Sequence, residues 1–155
     1  MNATLQSTFC GIETVSCVTG LSLHDLYNLV ESGNYLWVWN VSSGVGWRRE
    51  LRFWCREINH PATVLNLSLD AAIMAILPKY AQGLSYWDFR DLVRVSKSTL
   101  RALREELGVT GSERNLFIPR ASLEDFFRRR WLGNIIIRNC ALRFDVVPQR
   151  LKECV

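Results

Sequence analysis

Residues that build catalytic and metal sites are scarce in this chain. It has 2 histidines and 5 cysteines, and no two cysteines have the C-x-x-C spacing of a zinc ligand pair. Neither His24 nor His60 has a cysteine or carboxylate at metal-ligand spacing. The G-x-S-x-G, H-E-x-x-H and phosphate-binding-loop motifs are absent as well. We therefore expect no enzymatic activity, no metal and no cofactor, and free thiols in a reducing cytosol.

Long apolar runs are also missing. No stretch reaches the roughly 18 residues that a transmembrane helix requires. The first residues lack a basic segment followed by an apolar one, so we expect no signal peptide. The apolar share of 48% and the charged share of 22% are typical of a folded domain. The expected location is the cytoplasm, in association with the nucleoid and without membrane contact.

Positive charge is concentrated in the second half of the chain. Residues 84–155 carry fourteen Lys or Arg against nine Asp or Glu, a net charge of +5. Residues 1–83 carry five against six, a net charge of −1, and the two halves together give the +4 of the whole chain. A basic half is the pattern that nucleic-acid binding predicts, although a solvated arginine-rich surface gives the same count.

Apolar spacing within this basic half predicts two short helices joined by a tight turn. The stripe of the first helix consists of Phe89, Leu92 and Val93. The stripe of the second helix consists of Leu100, Leu103 and Leu107. Ser96 lies in the turn and is a suitable N-cap for the second helix, which Gly108 would end as C-cap. A strand or hairpin follows at residues 114–120, and Ser122 is the expected cap of a third helix.

The segments VSKSTLRALREE and RNLFIPRASLEDFF, within residues 84–130, resemble the winged helix-turn-helix modules of phage excisionases and MerR-type regulators. In that group a Val-Ser turn leads into the recognition helix, and a basic wing leads into an Arg-x-Ser-Leu-x-x-Phe helix start. The wing departs from the group, because Gly111 and Ser112 supply only part of its Gly-rich tip. The resemblance implies DNA binding, by a transcriptional regulator or an excisionase-like accessory factor of a mobile genetic element.

The expected partner is double-stranded DNA, contacted by both the helix and the wing. The residues that the recognition helix would present to the major groove are Lys97, Ser98, Thr99, Arg101 and Arg104. The residues with which the wing would reach phosphate or the minor groove are Arg114, Asn115 and Arg120. Further phosphate contacts are expected from Arg48 and Arg49, at a hairpin tip in the first half. One short recognition helix usually needs a dimer or second module, so a homodimer or a recombinase or polymerase partner is expected.

The first half predicts a helix followed by a β-hairpin. The helix, at residues 21–30, would have Ser22 as its N-cap and an apolar stripe of Leu23, Leu26, Tyr27 and Val30. Alternating residues at 35–41 and 48–58 predict the paired strands, whereas residues 1–20 resemble an irregular lead-in or weak strand. Residues 1–60 would be a second winged-helix-like module or a dimerisation unit. The alternative function is a protein-binding adaptor without DNA contact, since Trp37, Trp39 and Trp54 are typical interface anchors.

The sequence therefore predicts an α+β protein, in which a small winged helix-turn-helix domain follows a helix-plus-hairpin module. The expected parts are the module at 1–60, a linking helix at 61–83, the winged domain at 84–133 and a strand-like tail at 134–155. The linking helix would be capped by Ser68 and would bury Met74 as core filler.

Overall fold

Short helices and antiparallel strands alternate along the chain in the computed structural model, which describes residues 5–42, 50–112 and 114–133. The α+β class is therefore confirmed. The described residues divide into two units. The first unit comprises the described residues within Met1–Asn40, Leu51–Asn66 and Trp131–Val155. The second unit comprises those within Val41–Glu50 and Leu67–Arg130. The predictions for Arg48, Arg49 and the tail at 134–155 lie outside the described residues.

The first unit is built on a three-stranded antiparallel sheet. Its strands are β1 (Phe9–Gly11), β2 (Val38–Asn40) and β3 (Leu51–Trp54). Their order is β1-β3-β2, so that β3 is central. Its described helices are α1 (Ile12–Thr19), α2 (Leu23–Glu31) and α3 (Cys55–Asn59), followed by the 3₁₀ turn Pro61–Thr63. The predicted hairpin is confirmed, but its second strand ends at Trp54, where α3 begins.

Helix α1 was not predicted from the sequence. It buries Ile12 and Val15, but polar residues separate its apolar ones and its β-branched residues have modest helix propensity. Tertiary packing of these two side chains therefore decides its conformation. In α2 the predicted cap is confirmed, because the Ser22 hydroxyl accepts a hydrogen bond from the backbone N–H of Asp25 at 3.1 Å. The prediction that Leu23 is buried is wrong, since its side chain is 43% exposed.

The tryptophans of the first unit form its core. Trp37, Trp39 and Trp54 are 1%, 0% and 4% exposed. Trp37 stacks on Trp131, with ring centroids 5.5 Å apart, and its indole N–H donates to the carbonyl of Val64 at 2.9 Å. The three predicted interface anchors are therefore enclosed within this unit, and the adaptor interpretation loses the exposed aromatic surface on which it depended.

The second unit contains four described helices and a two-stranded sheet. Its helices are α4 (Leu69–Ile76), α5 (Tyr86–Val93), α6 (Lys97–Leu103) and α7 (Arg120–Arg130). Its strands are β4 (Gly83–Ser85) and β5 (Phe117–Pro119), which pair antiparallel. On the other side of β5, Thr110 and Phe117 exchange two backbone hydrogen bonds of 2.8 and 2.9 Å. These bonds close the loop at residues 111–116, which we call the wing loop.

Local predictions for this unit have mixed outcomes. The cap of α4 is confirmed, since the Ser68 hydroxyl accepts from the backbone N–H of Ala71 at 3.1 Å. Met74 is 59% exposed, so its assignment to the core is wrong. Ser122 does not cap the last helix, because α7 begins directly after β5, at Arg120. Helix α6 ends at Leu103, and turns lead from there to Gly108.

Among residues 5–42, 50–112 and 114–133, no helix combines the length and the apolar character that crossing a membrane requires.

Candidate nucleic-acid interface

The turn between α5 and α6 fixes the direction of α6. Helix α5 ends at Arg94, whose φ of 59° is the only positive value at a non-glycine position among the described residues. Val95 is buried behind it, at 5% exposure. The Ser96 hydroxyl then accepts from the backbone N–H of Thr99 at 3.2 Å, which confirms the predicted cap. It also lies 3.0 Å from the Thr99 hydroxyl, so Thr99 supports the turn.

The inner face of α6 is packed into the core of the second unit. Leu100 and Leu103 of α6, and Leu107 in the turns that follow it, are each at most 1% exposed, as predicted from their spacing. The buried Tyr86 hydroxyl of α5 donates to the carbonyl of Leu100 at 2.9 Å. Burial raises the pKa of Tyr86, although the charges of Arg104 and Arg101 oppose the shift. The phenol is therefore a neutral donor that holds α5 against α6.

The outer face of α6 carries cations without internal partners. Lys97 and Arg101 of α6, and Arg104 directly after its last residue, are exposed and recur at helical spacing, and we call these three side chains the basic face of α6. Within the described part of the chain, none of the three has an ion pair or a side-chain hydrogen bond. Arg101 and Arg104 also line an open groove of about 540 Å³. The remaining lining residues are Ala102, Glu105, Gly108 and Val109.

The wing loop is held in a tight conformation. Gly111 has a φ of 95°, and a Cβ atom added there would lie 2.1 Å from the carbonyl oxygen of Asn115. The backbone N–H of Asn115 donates to the carbonyl of Ser112 at 2.8 Å. Only glycine fits this close approach, so Gly111 keeps the loop narrow. Arg114 and Asn115, both predicted contacts, are exposed in this loop.

Arg120 has a different role from the one predicted. Its side chain is 17% exposed and forms an ion pair with Glu124 at 2.9 Å. Its guanidinium also donates to the carbonyls of Leu77 and Tyr80, at the end of α4. These contacts use donors that would otherwise be available to phosphate, so they count against a wing contact at Arg120. Its carbonyl partners are about forty residues away in sequence, which local reading cannot reveal.

The other arginines of α7 are paired as well. Arg128 lies 3.1 Å from Asp70 and also contacts Glu124 and Asp125. Arg129 and Arg130 both reach Glu106, in the turns after α6. The structure thus separates two sets of cations that look alike in sequence. Those of α7 each contact a carboxylate of the same unit, whereas those of the basic face of α6 contact none among the described residues.

The Glu106–Arg130 pair predicts a specific pH dependence of stability. The Arg130 hydrogen bond holds the pKa of Glu106 below its ordinary value of 4.5, although burial opposes the shift. The stabilisation is therefore present above pH 4.5 and is lost as the pH falls through the lowered pKa. Glu106→Gln should cost about 1–2 kcal/mol of unfolding free energy at pH 7. Urea denaturation at pH 7 and pH 3 should show this deficit shrinking at the lower pH, and an equal deficit at both would contradict the assignment.

Only the residues of this surface and their contacts indicate what it could bind. Comparisons with protein-family models, with curated proteins and with solved structures give no match to the chain.

Proposed function

We propose that the second unit is a winged helix-turn-helix module that binds double-stranded DNA, with α6 as its recognition helix. The observation that carries this proposal is the basic face of α6. Within the described residues its three cations are exposed and have no ion pair, while every arginine of α7 contacts a carboxylate, Arg129 and Arg130 sharing that of Glu106. Unpaired cations retain their full attraction for phosphate, and binding releases the counterions condensed on the duplex.

The dimensions of α6 suit the major groove. An α-helix with its side chains is about 10–12 Å in diameter, and the groove is about 12 Å wide. Arg101 would fork onto the O6 and N7 atoms of a guanine. Ser98 is exposed near the end of the helix that usually meets base edges, and the small side chain of Ala102 permits close approach. Arg104 and Lys97 would then contact the flanking phosphates.

The wing loop would contact the duplex beside the groove that α6 occupies. Arg114 and Asn115 are exposed in a loop closed by the Thr110–Phe117 pair, which limits the entropy lost on binding. Such a protein needs no chemistry to act. It would serve as a transcriptional regulator or as an excisionase-like accessory factor, through occupancy or bending of its site.

A titration of labelled duplex DNA by fluorescence anisotropy tests the proposal. If Lys97, Arg104 and Arg114 each neutralise about one phosphate, raising salt from about 50 to 200 mM should weaken binding roughly 40-fold. The same titration with an uncharged peptide nucleic acid duplex supplies the control. Absence of DNA binding at the lower salt concentration, or affinity independent of salt, would contradict the proposal.

A further inference from the structure

The two units repeat one plan of secondary structure. In each, a strand runs into a helix, a three-residue turn and a second helix. A pairing segment and a central strand follow, and a further helix starts directly after that strand. The strands also pair in the same order. In the first unit β3 lies between β1 and β2, and in the second unit β5 lies between β4 and Thr110.

The correspondence holds residue by residue up to the second helix. Strands β1 and β4 begin 74 positions apart, and so do helices α1 and α5, each of which has 8 residues. Both turns begin with a left-handed residue, Gly20 at φ 75° and Arg94 at φ 59°. Both end on a serine cap 74 positions apart, and Ser22 and Ser96 accept backbone bonds of 3.1 and 3.2 Å.

The burial of equivalent residues in the two units follows the same offset of 74 positions. Val15 and Phe89 are both 0% exposed, and Leu26 and Leu100 are 0% and 1% exposed. Helix α2 therefore stands in the first unit where α6 stands in the second. The chemistry of the two outer faces is nevertheless opposite.

Helix α2 lacks the cations of its counterpart. The positions of Lys97 and Arg101 are taken in α2 by Leu23 and Tyr27, and the position of Arg104 is taken by Val30, which is buried, so the correspondence in burial ends before it. The exposed residues of α2 are Leu23, His24, Asp25, Asn28 and Glu31. They include two carboxylates and no Lys or Arg, so α2 itself contributes no cation that would attract phosphate.

We propose that the chain carries two helix-turn-helix modules of one plan, of which only α6 enters DNA while α2 stays outside the complex. The inference rests on the proposed function and adds to it the number of recognition helices in each chain. Each chain would occupy one half-site of a duplex, whereas two reading helices would need two half-sites, commonly about 10 base pairs apart.

Matched substitutions at equivalent positions test this proposal. Asn28 and Ala102 are 74 positions apart and both exposed, so Asn28→Glu and Ala102→Glu place the same charge on α2 and on α6. Duplex affinity should fall at least about tenfold for Ala102→Glu, because a carboxylate would face phosphate. It should change less than about twofold for Asn28→Glu. A comparable loss for both variants would overturn the proposal.

A second substitution keeps the test independent of how well Asn28→Glu folds. Leu23→Lys introduces a cation at the position equivalent to Lys97, and the salt dependence of binding should stay unchanged. A slope steeper by about one unit would place α2 on phosphate and overturn the proposal. If the wild-type protein binds but neither glutamate variant loses affinity, α6 is not the reading helix and the proposed function itself fails. Circular dichroism of each variant verifies the fold.

Discussion

Leu103→Ala is expected to cost the second unit about 2–5 kcal/mol of unfolding free energy. Leu103 is 1% exposed, on the inner face of α6 between the equally buried Leu100 and Leu107. Truncation removes apolar contacts and leaves a cavity that the neighbouring side chains fill only in part. Urea denaturation followed by circular dichroism measures the loss.

Arg101→Ala supplies the matched control on the same helix. Arg101 is exposed and has no ion pair within the described residues, and alanine favours the helix at least as well as arginine. Its unfolding free energy should therefore stay within about 0.5 kcal/mol of the wild-type value. If Arg101→Ala destabilises the protein as much as Leu103→Ala, Arg101 is structural and the basic face of α6 is misassigned.

The features that sequence predicted correctly depend on neighbours in the chain. Ser22, Ser68 and Ser96 each accept from the backbone N–H three residues later, a contact that requires only the local helix start. The burial of Leu100 and Leu103 likewise follows from helical periodicity. Such signals are visible without knowledge of the tertiary structure.

The features that sequence missed depend on distant partners. Arg120 binds carbonyls at the end of α4, and α1 exists because Ile12 and Val15 pack into the first unit. The sequence predicted a second winged-helix-like module at residues 1–60 only as one of two alternatives, and it did not show the residue-by-residue repeat. Its equivalent positions share burial and backbone conformation but seldom the same residue, as Val15 and Phe89 illustrate.

The candidate site was predictable in part for the same reason. Exposure of Lys97, Arg101 and Arg104 follows from the apolar stripe on the opposite face of α6. Sequence does not show which arginines have carboxylate partners, because Arg128 pairs with Asp70 and Arg130 with Glu106 across long separations. Pairing, which only the structure reveals, is what distinguishes the basic face of α6 from the arginines of α7.

Arg101→Ala should also remove sequence discrimination. A bidentate contact between arginine and guanine favours the correct base by about 1–3 kcal/mol. Once selection has identified a binding site, Arg101→Ala should weaken binding to that duplex about 5- to 150-fold, and binding to a scrambled duplex much less. Arg114→Ala should instead weaken both duplexes alike, because a phosphate contact carries no sequence information.

The most direct test of the central claim compares one α6 arginine with one α7 arginine. Arg101→Ala and Arg128→Ala each remove one positive charge from the second unit, but Arg128 is already paired with Asp70. Dissociation constants for the selected duplex should rise at least about fivefold for Arg101→Ala and stay near the wild-type value for Arg128→Ala. An equal change for the two variants would mean that total charge, and not the basic face of α6, governs DNA binding.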